Sequence, residues 1–154
     1  MAYNGPRTWV AAETPTAANY NTEIRDNITE LAKGGFTVVI DGGGAAIDTA
    51  TFVDVHVPYK CSIDAVYTYA DTVGDLTVDI WKRTSSDYGT NQPTDTDSIT
   101  AATPPTISCD DNDADSTLAS WTTTIPAQTM LRFYVEACLV IERASIGVET
   151  SRSS

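Results

Sequence analysis

TFVDVHVPYKCSIDAVYTYADTVGDLTVDIWKR, residues 51–83, decides the fold class. Val53, Val55 and Val57 alternate with Asp54 and His56, and Pro58 stops the run. Ile63, Ala65 and Tyr67 then alternate with Asp64, Val66 and Thr68, and Leu76, Val78 and Ile80 with Thr77, Asp79 and Trp81. A period of two sets successive side chains on opposite faces of an extended chain, so each run predicts a half-buried strand. Working outward, FTVVID (36–41) ends in Asp41-Gly42-Gly43-Gly44, and further strands are expected in LASWTTTI (118–125), MLRFYVEA (130–137) and IERASIGVET (141–150). The last changes phase between Ile141 and Ile146, which predicts a bulge or break near Arg143 or Ala144. Some seven short strands separated by Gly, Pro and Asp turns indicate a mainly β fold, an antiparallel β-sandwich or jelly roll, over residues 36–154. Thr84 to Asp115, rich in Thr, Asp, Ser and Pro, reads as a long irregular loop with a short strand near Pro105 to Ser108. Such a segment either makes functional contacts or is ordered by a neighbouring subunit.

Residues 1–35 read differently. MAYNGPRTWVAAETPT is an extended N-terminal arm, because Pro6 and Pro15 each push the preceding residue away from helix. One short helix follows over AANYNTEIRDNITELAK, capped by Thr14 or Thr16 and stopped by Gly34-Gly35. Its apolar residues Tyr20, Ile24, Ile28 and Leu31 make one narrow stripe. A stripe of this kind is either a seam for self-association or docking, or a cover over the domain's own core. The sequence leaves both open.

Charge excludes several partners. The 154 residues carry a formal net charge of -12. A phosphate backbone attracts Lys and Arg, so nucleic acid is excluded, and the same repulsion excludes an anionic membrane surface. The acid is unevenly spread: residues 1–35 hold Glu13, Glu23, Asp26 and Glu30 against Arg7, Arg25 and Lys33, a net of -1 that leaves -11 for the remainder. A nearly neutral arm approaches another protein without repulsion while the acidic body stays hydrated. No secretory leader and no run long enough to span a membrane are read in the chain. Cys61, Cys109 and Cys138 lack metal-type spacing and read as free or buried thiols, with one disulfide in the mature assembly as the alternative.

Enzyme readings fail on inventory. His56 is the single histidine, and it sits in an alternating strand with no flanking motif to supply a nucleophile and an orienting acid. Carboxylate pairs are available in any chain this acidic, so their availability argues nothing. Asp111, Asp113 and Asp115 begin a D-x-D-x-D calcium loop and are the candidate metal ligands. Ser116, however, stands where the turn glycine belongs and Thr122 where the bidentate glutamate belongs. Gly42-Gly43-Gly44 lacks the lysine of a phosphate cradle and reads as a turn. No cofactor is expected beyond that incomplete calcium motif.

Pro6-Arg7-Thr8-Trp9-Val10, then Glu13-Thr14-Pro15-Thr16-Ala17-Ala18, then Asn21-Thr22-Glu23-Ile24-Arg25-Asp26-Asn27, resembles a leader recurrent in tailed-bacteriophage virion proteins, R-T-W-V…T-A-A…N-x-x-I-R-D-N. Asp79-Ile80-Trp81-Lys82, Pro93-Thr94-Asp95, Ser98-Ile99-Thr100, Pro104-Pro105-Thr106-Ile107-Ser108 and Leu118-Ala119-Ser120-Trp121-Thr122 look like a β-domain found behind such leaders. The resemblance implies a structural virion component, commonly trimeric. That component is a capsid decoration (cement) protein bound to the head surface through its arm, or else a small head- or tail-fibre protein whose β-domain contacts a host surface glycan or protein receptor. It implies assembly in the host cytoplasm, residence on the virion surface, and the major capsid protein or another virion protein as partner. Trp9, Val10, Tyr20, Ile24, Ile28 and Leu31 would supply the anchor and the homotrimer interface. Tyr88 and Trp81 would suit sugar stacking in the fibre alternative.

Overall fold

A computed structural model of the chain describes residues 11, 12, 14 and 16–152, with the backbone alone at Thr22 and Glu23. Seven strands follow a short helical segment: β1 (Lys33–Asp41), β2 (Phe52–Val57), β3 (Cys61–Thr84), β4 (Thr106–Asp115), β5 (Thr124–Ile125), β6 (Thr129–Leu139) and β7 (Arg143–Arg152). All pairings are antiparallel, and the sheet order is β1-β7-β3-β6-β2, with β4 and β5 also on β3. The fold is therefore the mainly β, sandwich-like architecture that the alternation predicts.

β3 organises it. The two runs that the sequence separates are one strand of 24 residues. Its first part, Cys61 to Ala70, pairs with β7, and its second part, Asp75 to Thr84, pairs with β6. Because β6 and β7 are joined by the turn at 140–142, β3 climbs to a tip in one layer and descends from it in the other. β4 follows β3 across the bend, and their register shifts on both sides of Gly74. Glycine is required there: a Cβ on Gly74 would lie 2.6 Å from the Leu139 carbonyl oxygen. The turn after β6 packs into the space that a side chain would fill.

The core lies between the layers. Val38, Ile40, Val66, Ile146 and Val148 face Val78, Ile80, Leu131, Phe133 and Val135, all buried. Phe36 of β1 meets Phe133 of β6 edge-on, with ring centroids 6.2 Å apart, the offset geometry that aromatic quadrupoles favour.

Several expectations change. β1 begins at Lys33, so Gly34 and Gly35 are strand residues rather than a helix stop, and the arm-and-helix boundary moves back from residue 35. A Cβ on Gly35 would meet the Val148 carbonyl at 2.6 Å, so glycine lets β1 lie close on β7. The expected phase of residues 63–68 inverts after Ala65, because the β3–β7 register shifts between Ile63 and Ala65. Val66 and Thr68 turn inward and Tyr67 outward. LASWTTTI is a strand only at Thr124–Ile125, since Leu118 and Ser120 take positive φ and the turn plugs Leu118 and Trp121 into the core. The Ile141 phase change is a turn, with β7 starting at Arg143.

The stretch 84–115 is not a free loop. It holds a helical turn (Ser85–Tyr88), a 3-10 turn at Asp95–Asp97, and all of β4. Ser98 bridges Trp81, the Ile99 amide donates to the Ile80 carbonyl at 2.9 Å, and Ile99 and Thr100 are buried. β4 carries Asp110, Asp111, Asp113 and Asp115, and among the described residues it pairs with β3 alone.

Two substitutions test this account by chemical denaturation. Gly74→Ala should cost about 1–3 kcal/mol, the usual penalty of forcing atoms into a filled space. Thr68→Val should gain about 1 kcal/mol, because the Thr68 hydroxyl is buried without a hydrogen-bond partner and a methyl removes that penalty.

Candidate functional site

The helical segment is an α-helical turn, α1 (Ala17–Tyr20), a π-type stretch over Asn21–Asp26, and a second α-helical turn, α2 (Asn27–Leu31). Thr16 caps it, its hydroxyl accepting from the Asn19 amide at 3.2 Å. In a regular α-helix each four-residue step over-rotates by roughly 40°, so Tyr20, Ile24 and Ile28 would drift around the cylinder. The wider π turn offsets that drift and keeps the stripe in line.

The stripe faces away from the body. Tyr20, Ile24, Ile28 and Leu31 are 52%, 44%, 60% and 74% exposed. Neither α1 nor α2 buries a residue. The segment joins the sandwich through Lys33 and through the Ala32 carbonyl, which accepts from the Arg152 amide at 2.9 Å. Of the two readings open in the sequence, cover over the domain's own core is not what the stripe does. Its flanks are internally neutralised. Arg25 pairs with Asp26 at 3.0 Å and Lys33 with Glu30 at 2.9 Å, and the Lys33 hydrogen bond lowers the Glu30 carboxyl below its ordinary range. Trp9 and Val10, the expected anchors, lie outside the described residues.

The expected calcium ligands do not converge. Asp111, Asp113 and Asp115 sit in β4, where alternate residues stand about 7 Å apart along the strand. The Asp115 carboxylate instead accepts from the Thr117 and Leu118 amides, at 2.7 and 3.0 Å. A different trio, Asp79, Asp95 and Glu136, brings one oxygen each within 4.8 Å of the others. Asp79 is the buried member, and its oxygens already accept from the Ile80 amide, Ser98, Thr100 and the Trp81 indole. That makes it a hub tying residues 98–100 to β3. Burial, then the charges of Asp79 and Asp95, push the Glu136 carboxyl up.

A second polar cluster, invisible to sequence spacing, lies on the outer face of the β6 layer. Arg132 is buried and grips Asp54 with two hydrogen bonds of 2.8 Å. Tyr88 donates to the same carboxylate, Gln92 accepts from Arg132 at 3.1 Å, and the Phe52 ring covers the guanidinium at 3.8 Å. Register explains the meeting, since Asp54 lies directly opposite Arg132. Trp81 is likewise buried and stacks on Tyr134 at 4.3 Å. The pair expected to offer a sugar platform is thus spent on internal contacts. His56 is exposed, with its Nε2 3.1 Å from Gln128 Oε1. The three cysteines are free thiols.

No protein-family model matches the chain, and no curated protein sequence matches it. Among solved structures, a serine protease of Aeromonas sobria in complex with its chaperone (ORF2) aligns with 79% of this chain and 27% of its own, at 10% identity and a TM-score of 0.33. The protease of Aeromonas sobria alone aligns with 76% and 26%, at 11% identity and a TM-score of 0.32. The chain spans about a quarter of those proteins' length, and likeness at this level carries no argument about activity.

Two acid substitutions separate the electrostatic roles. Burial pushes the Asp54 carboxyl up, but the hydrogen bonds from Arg132 and Tyr88 and the Arg132 charge outweigh it and hold it below the ordinary 3.8. A lowered folded-state value stabilises fully above that ordinary value and is lost as pH falls through the folded one. Asp54→Asn should cost about 3 kcal/mol at pH 7, the lower end for breaking a buried pair, and should flatten the acid limb of a stability–pH curve. Glu136 has the opposite sign, so Glu136→Gln should stabilise at pH 7, the gain vanishing below the ordinary value of 4.5.

Proposed function

We propose that this chain is a non-enzymatic structural component of a bacteriophage virion, a homotrimeric capsid decoration (cement) protein held on the head surface by its N-terminal arm. The observation that carries the reading is the open stripe of Tyr20, Ile24, Ile28 and Leu31. Apolar area in water costs roughly 25 cal/mol per Å², and a helix with little contact to its own body gains its stability by covering that area with something else.

A second copy suits the stripe. The Arg25–Asp26 and Glu30–Lys33 pairs leave its flanks near neutral, whereas the acidic bodies repel one another. Copies therefore meet most easily at the helix end, and identical seams close into a ring. The leader resemblance supplies the threefold number and the virion setting. Three arms, each with Trp9 and Val10, then grip the major capsid protein or another virion protein together, and modest contacts become avid. The same charge keeps nucleic acid and anionic membrane away from the body. The runner-up, a small head- or tail-fibre protein reading a host glycan or protein receptor, is weakened by the loss of the Trp81 platform.

Sedimentation equilibrium of the full chain should give a trimer. Ile24→Asp with Ile28→Asp should give a monomer with an unchanged β-sheet spectrum. Deleting residues 1–31, which spares β1, should abolish attachment to phage heads. A wild-type chain that sediments as a monomer at micromolar concentration overturns the reading.

A further inference from the structure

The end of the body opposite the helix carries a second apolar surface. β1 separates the two: Lys33 adjoins the helix, and Asp41, eight residues on and about 26 Å away, adjoins the tip. At the tip the β3 bend and the β6–β7 turn come together. There Val73, Leu139 and Val140 are 59%, 60% and 52% exposed. Val140 packs over the bend, its Cγ2 2.8 Å from where a Cβ on Gly74 would stand. Val140 also has φ of 64°, a left-handed conformation that a β-branched residue rarely adopts. Asn or Gly would hold such a turn with less strain, so the valine is not there for the turn's sake.

The surroundings are acidic. Asp41, Asp71, Asp75, Asp110 and Glu142 belong to the bend and the segments that meet it. Asp71 accepts from the Glu142 amide at 3.2 Å, Asp110 lies opposite Gly74, and Asp75 opposite Leu139. Arg143 is the counter-charge, 3.7 Å from Asp41. An apolar centre inside a charged ring is the anatomy of a binding patch. Two such tips repel, which disfavours a second copy, and an anionic bilayer is repelled as well. The complementary surface is cationic.

We infer that Val73, Leu139 and Val140 form a protein-recognition surface whose partner presents an apolar pocket rimmed by lysine and arginine. The surface is independent of the helix seam and stays free when that end is docked.

The probe is a synthetic peptide of alternating leucine and lysine, with a serine–lysine peptide of equal charge as control, titrated by calorimetry into the full chain. The leucine peptide should bind at least tenfold more tightly than the control. Leu139→Ser with Val140→Gly should remove that difference, while Val140→Gly alone keeps or raises the thermal midpoint. Ile28→Asp, at the other end, should leave the affinity unchanged. Equal binding of both peptides overturns the proposal, as does binding lost through Ile28→Asp, binding to phosphatidylserine vesicles, or a lower midpoint in Val140→Gly.

Discussion

One strand that belongs to both layers is the constraint on which the other elements depend. β3 supplies the pairing edge for β7 on its way up and for β6 on its way down. The layers cannot slide past each other without breaking one of those ladders. Gly74 makes this possible, because the Leu139 carbonyl occupies the place of a side chain. The close approach of the two bends at the tip depends on this one residue without a Cβ. Among the described residues the helix end is held far more lightly, by the β1 backbone and the hydrogen bond from the Arg152 amide to the Ala32 carbonyl.

The outer face of the β6 layer shows how an acidic chain buries an arginine. Arg132 leaves water, and that desolvation is offset by a bidentate carboxylate, the Gln92 amide oxygen and an aromatic lid. Removing Asp54 leaves the guanidinium charge uncompensated, and the contacts of Tyr88 and Gln92 with this pair fix where residues 85–92 lie. The Asp79 hub does the same for residues 98–100. Between them these carboxylates pin down a segment whose composition alone suggests a wandering loop.

Alternation was legible in several strands. β2 and β6 match the residue phases read in the chain, and so does the second part of β3. Reading failed where packing overrode local preference. DTVGD looks like a turn between two strands, and only its pairing with β4 and the contact with Leu139 make it a bend within one. Tyr67 was misplaced because a bulge leaves no mark in a two-residue period. A short strand was expected near Pro105 to Ser108, but the acidic residues after it read as loop because aspartate is depleted in strands, yet the β3 edge recruits them through Asp115. The helical stripe was readable as a stripe. Which way it faced was a tertiary question, and so was the burial of Trp81, decided by Tyr134 and Asp79 from other parts of the fold.

The aspartates along β4 have a consequence beyond solvation. A strand that pairs on one side only offers a row of amides and carbonyls to any neighbour, and proteins blunt such margins with charge. With Asp110, Asp111, Asp113 and Asp115 on that margin, bringing two molecules flank to flank sets like charges against each other before any ladder forms. Copies crowded side by side would then stay discrete instead of knitting into a fibre, which gives the incomplete calcium motif the part of an electrostatic fence.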